Sequence, residues 1–188
     1  MKKKILVLLL CISIFALAGC SKDSDSSGKE SKRTESKEEE VAGSGFEASE
    51  DVIMAYWEAF ADCSKKGIKK CFPDKSISKR DGFSVNIDEN VDASYELAEK
   101  VKDSVDIRIK DIKIERDVYD VDELDSELTK AFEIDKAYKS TVTVPMKRES
   151  EGKEYEIEDI YEMLTIRIEG NWYLLTMKET DVRVVDGE

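Results

Sequence analysis

The side chain that most often moves protons near neutral pH is missing here: the 188 residues include no histidine. That excludes Ser-His-Asp and Cys-His catalysis, histidine-ligated zinc and the common proton shuttle. Thiols and carboxylates remain. The cysteines are Cys11, Cys20, Cys63 and Cys71. On one straight helix, the spacing of Cys63 and Cys71 gives about 12 Å of rise, too far for a disulfide. A chain reversal at Gly67 would bring them together; otherwise they are two small buried hydrophobes. Asp117, Asp120, Asp122, Glu123 and Asp125 form an acidic cluster that invites a calcium reading. Asp120-x-Asp122-x-x-Asp125 lacks the glycine and the distal glutamate of an EF-hand loop. Acidic residues at a helix start also have an ordinary electrostatic cause. The sequence thus implies no metal and no cofactor. The formal charge of −13 argues against nucleic acid as a partner, since phosphate backbones demand clustered Lys and Arg.

Residues 1–20 read MKKKILVLLLCISIFALAGC. Lys2, Lys3 and Lys4 precede an apolar run, Ile5 to Leu17. That run is too short for a spanning helix, which needs about 20 apolar residues, and it fits the core of a secretory signal. Leu17-Ala18-Gly19-Cys20 resembles a bacterial lipobox. The resemblance implies a diacylglyceryl group on the Cys20 sulfur and cleavage between Gly19 and Cys20. It places the mature protein on the extracytoplasmic face of the cell membrane, held there by lipid. Disulfides persist in such a compartment, which bears on Cys63 and Cys71. Residues 20–45 then comprise the lipidated cysteine and a polar stretch of Ser, Lys, Glu and Gly, whose composition predicts a disordered tether. Residues 46–188 carry all the aromatics except Phe15 and read as one domain.

The elements follow from hydrophobic period. Val52, Ala55, Tyr56, Ala59, Phe60 and Cys63 mark one face of a helix over 49–64, with Ser49 as N-cap. Gly67 breaks that pattern. Ile68, Cys71 and Phe72 predict a second, short helix stopped by Pro73. Residues 74–88 read as a loop with an extended piece at 83–87. Val91, Tyr95, Ala98 and Val101 predict a third helix over 89–103. The period then becomes two. Val105 to Ile114 reads as one strand bent by a bulge near Lys110. Val121, Leu124, Leu128, Ala131 and Phe132 predict an inserted helix. Val142, Val144 and Met146 predict a second strand, with Pro145 marking an edge or a bulge. Tyr155 to Ile168 is a third strand whose phase slips between Ile157 and Ile160. Glu169-Gly170-Asn171 is a hairpin turn, Trp172 to Lys178 a fourth strand, and Val182 to Val185 a weakly pairing tail. Helices therefore precede a curved antiparallel sheet of about four strands, an α+β class.

The segments VIMAYWEAFADCSKKGIKKCFP and LTIRIEGNWYLLTM resemble the nuclear-transport-factor-two-like cone fold, as found in small Gram-positive lipoproteins. In that fold the sheet curls around the first helix. The resemblance implies a pocket lined by Tyr56, Phe60, Tyr95, Tyr161 and Trp172, unless these rings simply fill the core. Enzymes of this fold use a buried carboxylate or histidine as base. Asp159, at the phase slip, is then the first position to consider and Asp62 the second; otherwise they are a solvated bulge residue and a helix-surface charge. Neither has a visible partner in sequence. The reading that follows is a lipid-tethered, non-enzymatic binding or interaction module for an unidentified protein or small molecule. A small-molecule pocket or isomerase-like enzyme on the same fold is the alternative.

Overall fold

A computed structural model describes residues 45–74, 87–150 and 152–187. Helix α1 (Ser49–Ala61) opens the domain. Glu50 and Asp51 occupy its first turn, where carboxylates favour the positive end of the helix dipole. Ala48 is the N-cap, and its N–H donates to Asp51 Oδ2 at 3.2 Å. Ser49 is not the cap expected. It is buried, and its Oγ accepts from Arg116 Nη1 at 3.3 Å, beside the Arg116–Glu50 ion pair at 2.6 Å.

The chain reverses at 62–64 rather than at Gly67. Cys63 takes the left-handed conformation, with φ of 50°, and Ser64 caps helix α2 (Lys65–Lys70) by accepting from the Gly67 N–H. Gly67 lies inside α2 for a different reason. A Cβ there would sit 2.7 Å from the Ala59 Cβ, so glycine permits α2 to lie against α1. Helix α3 (Ile87–Val101) completes the helical layer. The extended piece expected at 83–87 falls on residues outside those described, apart from Ile87, which begins α3.

The sheet has five antiparallel strands, not about four: β1 (Val105–Ile107), β2 (Lys113–Tyr119), β3 (Ile134–Ser150), β4 (Lys153–Ile168) and β5 (Asn171–Gly187). The order is β1-β3-β4-β5, with β2 also on β3. The expected bent strand over 105–114 is therefore two strands, separated by a 3-10 turn at Ile109–Asp111. Pro145 accounts for that gap. Its carbonyl accepts from the Arg108 N–H at 2.9 Å, so its missing N–H faces the point where pairing lapses. β3 is much longer than Val142–Met146. Its outer residues, among them Lys136, Lys139 and Thr141, are polar and concealed its start.

The inserted helix expected over 121–132 is a 3-10 turn (Val121–Glu123) followed by helix α4 (Ser126–Ala131). Asp125 divides them, accepting from the Glu127 N–H at 2.7 Å. This segment covers the far face of the sheet and makes a second core of Leu124, Phe132, Ile166, Ile168, Tyr173 and Leu175. The main core lies between helices and sheet. Both faces of β4 are therefore apolar in part, and that is the slip between Ile157 and Ile160: they point to opposite faces. The extra residues that bend the β4–β5 pair sit in β5, at Leu175, Thr180 and Val185.

Candidate functional site

Tyr155, Ile157, Asp159, Tyr161 and Met163 share the helix-packed face of β4. Asp159 is paired with Val144 on β3 and Val182 on β5, and it is 8% exposed. It is not the solvated bulge residue that its sequence neighbourhood allowed. Its Oδ2 accepts from the Tyr161 hydroxyl at 3.4 Å, a long contact. Its Oδ1 is buried with no hydrogen-bond partner. Burial raises the Asp159 pKa above the ordinary carboxylate range, opposed by Arg148 and the Tyr161 hydroxyl. Glu179 on β5 is raised in the same way, by its own partial burial and then by the charge of Asp159. The Tyr161 hydroxyl is driven up chiefly by burial and then by Asp159, so it remains a donor.

The Tyr161 ring lies 4.9 Å from Trp57, centroid to centroid. Trp57 Nε1 is also buried without a partner. Trp57 meets Phe60 at 5.5 Å and Tyr56 at 5.4 Å, both edge-on. The Tyr56 hydroxyl donates to Ser94 Oγ on α3 at 3.2 Å, in full burial that raises its pKa. Thus Tyr56, Phe60 and Tyr161 do come together, around a tryptophan that the periodicity passed over. The signal was present: Ile53, Trp57 and Phe60 form a stripe at i, i+4 and i+7 beside the one chosen.

Tyr95 and Trp172 lie apart from this group. Tyr95 is half-buried on α3 with the Lys65 ammonium 5.8 Å from its ring centre. Trp172 is buried and stacks on Tyr138 at 4.9 Å, with Arg116 over Tyr138 and Arg167 over Trp172. Its N–H donates to Phe46 O, tying the domain's first residues to β5.

Of the two readings of Cys63 and Cys71, a disulfide or two separate thiols, the structure has both cysteines free. Cys71 is buried and its thiol donates to Gly67 O at 3.4 Å, while Cys63 lies beside Glu99 of α3. Burial pushes the Cys71 thiol up to about 12, and Cys63 is raised by burial and then by Glu99. Both are poor nucleophiles. Asp62 is an exposed residue capping the C-terminal end of α1. Asp120 and Asp125 spend their carboxylates on the N–H groups of Asp122 and Glu127. Among the described residues no cluster could hold a metal ion. Gly19 and Cys20 lie outside them. No described helix is long and apolar enough to cross a membrane.

No family model matches the chain, nor does any curated protein or solved structure. The chemistry must therefore be read from the site. It offers one buried carboxyl with a free oxygen, one buried indole N–H and a phenol between them. Such a group can accept a ligand's hydrogen bond or exchange a proton with it.

Proposed function

We propose that this protein is a lipid-anchored, extracytoplasmic binding module whose cone-like sheet receives its ligand on the helix-packed face. The observation that carries the binding reading is Asp159: a carboxyl buried on that face with one oxygen unpartnered. Buried polar groups are nearly always satisfied, and leaving one unmade costs about 1–3 kcal/mol. A ligand donor is a direct way to recover that energy. The anchor reading rests on Leu17-Ala18-Gly19-Cys20 after a Lys-rich apolar run. A fragment screen read by the Trp57 indole resonance tests the site. The expected result is saturable shifts at Trp57 and at the amides of Asp159 and Tyr161, lost in Asp159→Leu. A library that leaves these resonances unmoved rejects the reading.

Acid–base catalysis on the same face is a second reading. The raised Asp159 and its contact with the Tyr161 hydroxyl favour it, since a carboxyl with an elevated pKa is what proton transfer at neutral pH needs. An isomerase screen on the full chain separates the two. Turnover abolished by Asp159→Asn establishes the enzyme; ligand binding without turnover establishes the module.

A further inference from the structure

Two bulges decide what surrounds Asp159. Trp172 and Leu174 put the even-numbered residues of β5 on the helix-packed face. The extra residue Leu175 shifts that phase, so Met177 and Glu179 face the same way. The extra residue Thr180 shifts it back, so Val182 and Val184 follow them. Thr180 Oγ1 donates to Ile160 O at 3.0 Å, fixing the second bulge in place. Glu179 is thereby paired with Tyr161, Val182 with Asp159 and Val184 with Ile157. The result is a buried carboxyl with a second carboxyl on the neighbouring strand and two exposed valines beside them, at 39% and 66% exposure. Glu179 itself is exposed at the rim.

We infer that this corner of the sheet binds a small alkylammonium ligand, with its ammonium on Asp159 Oδ1 and Glu179 and its chain along Val182 and Val184. The assignment rests on the binding-module reading and names the ligand class for it. An ammonium brings three donors and no acceptor, and the corner offers it the unpartnered Asp159 Oδ1 with the Glu179 carboxyl beside it. A charge-assisted contact in a buried setting is about twice as strong as a neutral one. The valines supply apolar area that a bare metal ion would leave exposed. Among the described residues, Arg148 on β3 is the cation that acts on both carboxylates, and no ion pair joins it to either. Tyr155 and Tyr161 on β4 and Tyr56 on α1 share this face, and burial holds Tyr161 and Tyr56 neutral.

The test is a titration of the full chain with n-butylamine at neutral pH, followed by nuclear magnetic resonance, with 1-butanol as the uncharged isostere. Saturable shifts at Trp57, Asp159 and Glu179 with butylammonium, and much weaker ones with butanol, are expected. Asp159→Asn should weaken butylammonium binding about tenfold to a hundredfold, the range for a hydrogen bond to a charged group. Glu179→Gln should weaken it less. Arg148→Gln should strengthen it, which no merely structural role predicts. Affinity should fall as the pH is lowered through the carboxylate range, because each carboxyl must lose its proton to receive the cation. Equal binding of butanol overturns the ammonium assignment and leaves the binding module standing. Shifts as large around Asp120 and Asp125 as at Asp159 reveal general attraction to an acidic protein and also overturn it. If other fragments occupy the corner and butylammonium does not, only the ammonium assignment falls.

Discussion

Asp159 is where a single side chain sets a property of the whole domain. Its folded pKa is raised, so between the unfolded and the folded values the folded chain holds a proton that the unfolded chain has released. Stability from this group is therefore full below the ordinary carboxylate range. It declines as pH rises through that range and is lost above the raised folded value. Glu179 adds to the decline in the same sense, while Arg148 lessens it. Asp159→Asn should flatten the decline that sets in as pH rises past the ordinary carboxylate value. It should also raise stability at neutral pH, because the amide carries no charge for burial to disfavour. Denaturant midpoints of the two chains across that range measure both effects; a parallel pair of curves contradicts the assignment. Asp159 was legible in sequence because it stands where the alternation of β4 breaks. Glu179 was not, because its place on the same face depends on bulges at Leu175 and Thr180 that leave no mark on local composition. Trp57 was hidden for the opposite reason: α1 is apolar around so much of its surface that one stripe could be chosen over another.

Among the elements, the α1–α2 corner and the final hairpin make distinct predictions. Gly67→Ala places a methyl 2.7 Å from the Ala59 Cβ, closer than two such atoms approach without something shifting. The strain should lower stability by about 1–3 kcal/mol. A thermal midpoint equal to that of the unchanged chain would show that α2 moves freely over α1. Trp172 is different, since it links Tyr138, Arg167 and the backbone of Phe46. Trp172→Ala should cost roughly 3–5 kcal/mol through the cavity it leaves. A wild-type midpoint with only a binding defect would make Trp172 a ligand contact instead. The hairpin, the three helices and the α+β order could be read from period and turn residues alone. The split between β1 and β2, and the lengths of β3 and β5, could not. β3 keeps pairing through Lys139, Ser140 and Thr141 because its neighbours supply hydrogen bonds on both sides, and a pattern of side chains does not record that. The helix expected at 121–132 yields to Asp120 and Asp125, whose carboxylates cap two short turns in place of one long helix.

For the molecule as a whole, charge and anchor must be weighed together. The chain carries −13, and cleavage before Cys20 would remove Lys2, Lys3 and Lys4 without any acid, lowering it to −16. An anionic membrane surface repels such a body and attracts only basic segments. Electrostatics therefore cannot hold this protein at the membrane, and on the proposed reading the acyl chains at Cys20 do so alone, each buried methylene contributing about 0.8 kcal/mol. That separation of roles has a measurable consequence. A protein held by charge leaves the membrane when salt is raised, because screening shortens the reach of exposed charges to about 3 Å at 1 M. A protein held by acyl chains stays. The unchanged chain should remain in the membrane fraction through a high-salt wash and take up labelled fatty acid. Cys20→Ala should lose the label, and its folded domain should keep the Trp57 resonance of the unchanged chain. Release of the unchanged chain by salt, or labelling that survives Cys20→Ala, would place the attachment elsewhere. The same acidity bears on the ligand corner: a cation approaching from solution meets a favourable field over the whole surface, so association with butylammonium should slow as salt rises while the membrane attachment does not change.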